Sequence, residues 1–233
     1  MKLKLLLTIS LFIFSYSFAQ EYAFGVKGGI NNNKIGTLYQ RAYNNEPAIN
    51  HQPNKELGYQ LGAYVTGEFG IFFVQPEFNY VTFNNNYELP RSKAQWKTSK
   101  MEIPILAGVR IIKPVRLYFG PSFNFYKDTE LEGVQVTSYS DGGPDLEKNT
   151  MSLNFGIMIR YNRFGLDLRY EQATNTTEEE LLDIIYSDYG TNLADLKPYQ
   201  ASSLRLSLFI DILRTDMKLS DLFKKKYCAC PYD

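Results

Sequence analysis

The sequence predicts an all-β chain, an eight-stranded antiparallel up-and-down transmembrane β-barrel with short periplasmic turns and long extracellular loops. Three observations point there. Eight segments alternate with period 2, the spacing that sends successive side chains to opposite faces of a sheet. One face of each segment carries no charged residue, although 21% of the chain is charged. The connections between segments alternate short and long.

The chain opens MKLKLLLTISLFIFSYSFAQ. Lys2 and Lys4 precede an apolar stretch from Leu5 to Phe14, and small residues at Ser17 and Ala19 follow, the plan of a secretory signal peptide. Residues 1–19 are expected to be removed, because the apolar stretch is shorter than the ~20 residues a helical span needs. Residues 20–212 are assigned to the barrel and 213–233 to a periplasmic tail.

The first strand, 22–30, sets Tyr22, Phe24, Val26 and Ile30 against Lys27. After a polar loop over 31–56, strand 57–69 sets Leu57, Tyr59, Leu61, Val65 and Phe69 against Glu68. A turn at Gly70 leads into 71–83, where Val74, Phe78 and Tyr80 alternate with Gln75, Glu77 and Asn79. Pro76 cannot donate to the ladder, and a bulge or bend is expected there. Loop 84–98 follows; then strand 99–111 opposes Met101, Ile103, Ile105 and Val109 to Lys100, Glu102 and Arg110. A turn around Lys113-Pro114 opens strand 115–126, with Leu117, Phe119, Phe123 and Phe125 against Arg116. Beyond loop 127–149, strand 150–161 sets Met151, Phe155, Ile157 and Ile159 against Arg160. The Asn162-Arg163 turn gives 164–172, with Phe164, Leu166, Leu168 and Tyr170 against Asp167, Arg169 and Glu171. Loop 173–200 precedes the last strand, 201–212, where Leu204, Leu206 and Leu208 alternate with Arg205 and reach Asp211. Each segment reaches or approaches the ~9 to 11 residues a tilted strand needs to cross a bilayer.

The apolar face belongs outside. An eight-strand barrel is just wide enough for its interior to be filled by side chains, so it cannot take up so many large apolar groups. Lipid accepts them, and a charge facing the bilayer midplane would cost ~2 to 4 kcal/mol. Aromatic residues near strand ends, such as Phe69 with Phe72 and Tyr161 with Phe164, suit the interfacial girdles. The inner face then holds Glu68, Glu77, Glu102, Arg110, Arg160, Asp167, Arg169, Glu171 and Arg205, with Lys27, Lys100, Arg116 and Asp211. These are expected to pair into a hydrogen-bonded network that plugs the lumen, because a desolvated charge without a partner is costly.

Four phrases, VQPEFNY at 74–80, MEIPILAGV at 101–109, LYFGPSF at 117–123 and GLDLRYE at 165–171, resemble the PorT-like outer-membrane β-barrel family of Bacteroidota, often labelled porin-like. The resemblance covers roughly residues 20 to 212 and implies an eight-stranded outer-membrane barrel. Family members mostly lack an assigned activity, and one branch is associated with type IX secretion and gliding machinery. The sequence RTDMKLSDLFKKKYCACPYD departs from the family, whose barrels usually stop near the last strand.

Two peripheral stretches are candidates for partner contacts. Thr177 and Glu180 fit a capping box followed by Leu181, Leu182 and Ile185, which predicts a short helix that packs over the barrel mouth or offers Leu181 and Ile185 to a partner. In the tail, Leu219, Leu222 and Phe223 with Lys224, Lys225 and Lys226 fit a short amphipathic helix or a disordered segment. Cys228 and Cys230 are expected to be free thiols, with pairing to a partner or metal binding as alternatives. His51, the only histidine, lies in NHQPN and is expected to be a solvated loop residue rather than a catalytic base.

Twenty-five basic and 25 acidic residues cancel, so no nucleic-acid partner is expected. No phosphate loop, zinc spacing or dinucleotide fingerprint implies a cofactor. The expected function is a non-catalytic structural or partner-binding barrel in outer-membrane lipid, accessory to a larger envelope complex such as a secretion machine. The alternatives are a passive small-solute pore or carrier and, more remotely, an outer-membrane hydrolase.

Overall fold

A computed structural model describes residues 21–42, 47–89, 93–127, 129–132, 135–136, 147–186 and 190–215. In chain order the strands are β1 (Glu21–Lys34), β2 (Leu38–Gln40), β3 (Ile49–His51), β4 (Pro53–Lys55), β5 (Gly58–Phe69), β6 (Phe72–Glu88), β7 (Lys93–Ile112), β8 (Val115–Tyr126), β9 (Glu130–Glu132), β10 (Gln135–Val136), β11 (Asn149–Tyr161), β12 (Phe164–Ala173), β13 (Glu180–Tyr186), β14 (Gly190–Leu196) and β15 (Ser202–Arg214). Eight of them form a ring in the order β6-β5-β1-β15-β12-β11-β8-β7, closed by pairing of β6 with β7. Every neighbour is antiparallel.

Burial alternates along each ring strand and faces the apolar residues outward. Phe78, Ile105 and Leu208 are 53%, 43% and 69% exposed, whereas their neighbours Glu77, Leu106 and Phe209 are buried. A continuous apolar belt of this extent is not stable against water and marks a lipid-facing surface.

Gly70 at φ 67° and Asn162 at φ 53° occupy the left-handed region at two of the tight turns. The third turn carries the Lys113-Pro114 peptide, which is cis. Both ends of the described chain meet at this end of the barrel, where Ala23 pairs with Arg214 and the Thr215 amide donates to the Tyr22 carbonyl at 3.0 Å.

Pro76 produces no slip of register. Instead the β5–β6 ladder runs from Gln60↔Val81 to Tyr64↔Glu77 and resumes at Gly67↔Val74 in the same register. The β6–β7 ladder is likewise interrupted between Pro76↔Ile105 and Asn79↔Glu102, beside Pro104. The β7–β8 ladder breaks between Pro104↔Ser122 and Ala107↔Phe119, beside Pro121. The expected bulge is therefore replaced by gaps in the ladder. A missing N–H removes a bond without requiring an extra residue.

The lower half of the lumen is less polar than the charges suggest. Tyr64, Phe73, Leu106, Tyr118, Met158 and Phe209 form an apolar cluster inside the barrel. Glycines make room for its rings: a Cβ at Gly156 would lie 2.1 Å from the Tyr118 hydroxyl, and one at Gly165 would lie 2.0 Å from the Phe209 ring. Gly25 under Tyr64 and Gly108 under Phe73 repeat the device.

The long-connection end departs most from expectation. Strands β6 and β7 are 17 and 20 residues long. At ~3.3 Å per residue the longer spans ~65 Å, far more than the ~25 Å apolar band of such a barrel. Much of 84–98, expected as loop, is the projecting end of this hairpin, paired from Asn84↔Lys97 to Glu88↔Lys93. A second sheet, in the order β10-β13-β14-β2-β3, stands beside it. The helix expected from Thr177 to Ile185 is instead strand β13, paired with β14 from Glu180↔Leu196 to Tyr186↔Gly190. The Thr177 hydroxyl does not cap a helix. It donates to the Tyr199 carbonyl at 3.2 Å and accepts from the Tyr199 amide at 3.0 Å. With that cap engaged, the β-branched Ile184 and Ile185 and the aromatic Tyr186 favour the strand. Between hairpin and sheet lies a separate small core of Ile35, Leu38, Tyr87, Leu89, Ala94, Trp96, Leu131, Ala194 and Leu196, with Tyr199 packed against it.

Candidate functional site

The inner-face charges are stacked in three levels. At mid-barrel Glu77 accepts both arms of the Arg169 guanidinium at 2.9 Å and Lys27 at 3.0 Å. Asp167 accepts Lys27 at 2.8 Å and Arg169 at 3.0 Å, and the Tyr118 hydroxyl also donates to it. Two cations thus meet two carboxylates, and the level is neutral. Gln75 and Asn79 donate to the remaining lone pairs of Glu77 at 2.8 and 3.0 Å.

The level toward the long connections repeats the arrangement. Lys100 meets Glu102 at 3.1 Å and Glu171 at 2.5 Å, while Arg205 bonds Glu102 at 2.6 Å and also Glu171. Ser152 and Ser203 donate to Glu171 at 2.5 and 3.1 Å, and Lys100 lies 5.5 Å from the ring centres of both Phe83 and Tyr126. Toward the short turns Glu68 meets Arg116, Arg160 and Arg110 at 2.9, 3.4 and 3.6 Å, and Asp211 accepts the Tyr64 hydroxyl at 2.6 Å. All nine network residues named from the sequence therefore meet in the lumen, with Arg110 half-exposed at its rim.

Burial at this density has a direct consequence for transport. The side chains of Glu77, Glu102 and Arg205 are 0% exposed, so water does not reach the middle of the lumen around them. Each level is held by bidentate or multiple charge-assisted bonds, the arrangement that offsets desolvation.

Above the upper level lies a cavity of about 490 Å³. Its floor is the end of the inner face, with Asn124, Glu171 and Ser203. Its walls include Ile35, Trp96 and Tyr199 of the outer layer, and the segment from Asn175 to Glu180 forms its rim. The Trp96 Nε1–H is buried and has no hydrogen-bond partner. Burial pushes the Tyr87 and Tyr199 hydroxyls above the ordinary tyrosine pKa, so both remain neutral phenols in this layer.

His51 is not solvated, contrary to expectation. It is 8% exposed, and its ring nitrogens lie 3.0 Å from Gln40 Oε1 and 3.2 Å from the Glu88 carbonyl oxygen. Pairing of β2 with β3, Leu38 opposite His51, draws the NHQPN segment into the outer layer. Leu181 and Ile185 fall on β13 rather than a helix. Leu219, Leu222, Phe223, Lys224, Lys225, Lys226, Cys228 and Cys230 lie outside the described residues. Among the described residues, no group of three or more His, Cys, Asp or Glu side chains is placed to hold a metal ion.

The cavity was not anticipated from the sequence. A signal existed: Ala94, Trp96 and Thr98 continue the inward parity of Lys100 and Glu102, so the β7 alternation extends well before residue 99.

The model of the outer membrane protein beta-barrel domain family matches residues 18–177, more than half of the chain. The chain belongs to that family. It is an outer-membrane β-barrel protein. Its fold is similar to Neisserial surface protein A, at 10% identity and a TM-score of 0.44, covering 81% of this chain and 96% of that one. It is also similar to Ail, the attachment invasion locus protein of Yersinia pestis, in complex with the heparin analogue sucrose octasulfate, at 10% identity and a TM-score of 0.39, covering 82% of this chain and 100% of that one. The translocator domain of the autotransporter NalP from Neisseria meningitidis aligns at 12% identity and a TM-score of 0.36, covering 81% of this chain and 88% of that one. No curated protein matches significantly.

Proposed function

We propose that this outer-membrane barrel is a non-catalytic, non-conducting subunit that serves a structural or partner-binding role in a larger envelope complex, within the PorT-like branch of Bacteroidota barrels. The observation that carries this reading is the closed lumen, whose mid-level charges are neutralised and shielded from water. Open aqueous channels belong to barrels of about sixteen strands. In this reading residues 1–19 are removed, the long connections face the exterior, and both mature ends lie in the periplasm. Contacts come from the tail, through Leu219, Leu222, Phe223 and Lys224 to Lys226, and from the outer layer.

Two measurements test it. Planar-bilayer recording of the purified protein is expected to show no steady open current, and a sustained conductance would overturn the closed-lumen reading. Pull-down from native membranes is expected to lose partners when residues 216–233 are deleted, which leaves the Thr215–Tyr22 clasp in place. Unchanged partners would remove the tail from the proposal.

A further inference from the structure

We propose that the cavity at the outer mouth binds a small organic cation with an apolar or aromatic body. Its volume of about 490 Å³ lies within the ~300 to 1,000 Å³ of small-molecule sites. Among the lining aromatics, the partly exposed Tyr199 offers a ring surface to a guest, with the buried Trp96 behind it, while Lys100 already lies over Phe83 and Tyr126. An aromatic face attracts a cation by ~0.5 to 2 kcal/mol.

Charge selects the sign of the guest. The charged side chains lining the cavity are Glu147, Glu171, Glu178, Glu179 and Glu180, and among the described residues no lysine, arginine or histidine lines it. Lys100 and Arg205 neutralise Glu171 from below, and Lys197 bridges Glu179 at 2.6 Å. Glu147 and Glu178 on the rim repel an anion and draw a cation toward the Asn175–Glu180 segment. A wholly apolar guest fits poorly, because it would strip water from the rim carboxylates Glu147 and Glu178 without replacement.

The site is also organised in advance. The Thr177–Tyr199 bonds fix one wall, and Trp96 packs edge-on against Tyr87 with ring centres 6.4 Å apart. A wall held in place before binding loses little entropy when a guest enters. This inference concerns the mouth alone and stands whether or not the tail recruits a partner.

Trp96 is the only tryptophan in the chain, so its fluorescence reports on the cavity directly. The full-length protein in a nonionic maltoside detergent is titrated with benzyltrimethylammonium, and in parallel with benzoate and benzyl alcohol. A saturable Trp96 response to the cation is expected, with binding at least ~10-fold weaker for the other two. The pair Glu147→Gln and Glu178→Gln is expected to weaken cation binding by about 3-fold each. Ala201→Phe, which fills the cavity, is expected to abolish the response while far-UV circular dichroism stays unchanged. Should Ala201→Phe fail to fold, the glutamate pair carries the test with the same readout. No saturable response, equal binding of benzoate, or unchanged affinity in the glutamate variants would overturn the proposal.

Discussion

Replacing Arg169 with methionine tests the closed lumen at mid-barrel. Lys27 and Arg169 together balance Glu77 and Asp167, and the Arg169 side chain is 2% exposed. Arg169→Met deletes one cation and leaves two buried carboxylates sharing Lys27. Breaking a buried pair by removing one partner costs ~3 to 5 kcal/mol, a large share of the ~5 to 15 kcal/mol that holds a typical folded protein together. Arg169→Met combined with Glu77→Gln restores neutrality, since Lys27 and Asp167 remain paired at 2.8 Å. The double variant is therefore expected to be more stable than the single one by ~2 kcal/mol or more, although it carries one more substitution. Urea unfolding in lipid vesicles, with folded and unfolded fractions read by Trp96 emission, measures both. If Arg169→Met cost under ~1 kcal/mol, or if the two substitutions were simply additive, the level would be hydrated and the closed-lumen argument would fail.

Three further outcomes follow from the same geometry. Leu168→Arg, on the outward face of β12, should cost ~2 to 4 kcal/mol in lipid-vesicle unfolding if it faces the bilayer midplane, and a neutral result would place that face in water. Gly156→Val should drive a side chain into the Tyr118 ring and destabilise the barrel by ~1 to 3 kcal/mol, and combined with Tyr118→Ala it should cost less than the sum of the two single changes; strict additivity would refute the ring-over-glycine packing. Tyr87, raised in pKa by burial and donating to the Gly36 carbonyl at 2.7 Å, stabilises the outer layer below its ordinary value of 10.0. Above about pH 10 the unfolded layer gains stability by ionising while the folded one does not. The Trp96 emission maximum should then shift to the red as pH rises, and a flat profile to pH 12 would count against it.

The spanning strands were legible because two solvents act on each one. Lipid selects Val74, Phe78 and Tyr80, and the packed lumen selects Gln75, Glu77 and Asn79, so period 2 is written over the whole crossing. Turn chemistry at Gly70 and Asn162 marked where the chain reverses. The identity of ion pairs was not legible. Arg205 meets Glu102 across a sequence separation of 103 residues, and only the register of the closed ring brings them together. The outer layer failed to show for a related reason. Leu181, Leu182 and Ile185 fit helical spacing locally, and it is the partner strand β14 that decides for a strand. His51 likewise bonds Glu88, 37 residues away, and meets Gln40 only through the pairing of β2 with β3.

Pro76, Pro104 and Pro121 fall in nearly one row across neighbouring strands β6, β7 and β8, each beside a gap in its ladder. The other irregularities of the ring, at Phe24/Gly25 and between Arg110 and Ile112, lie near the short-turn end, so this row is the weak seam across the middle of the wall. Sideways pressure from a crowded or thinning bilayer would be absorbed there by slight ovalisation, sparing the charge levels inside from shear.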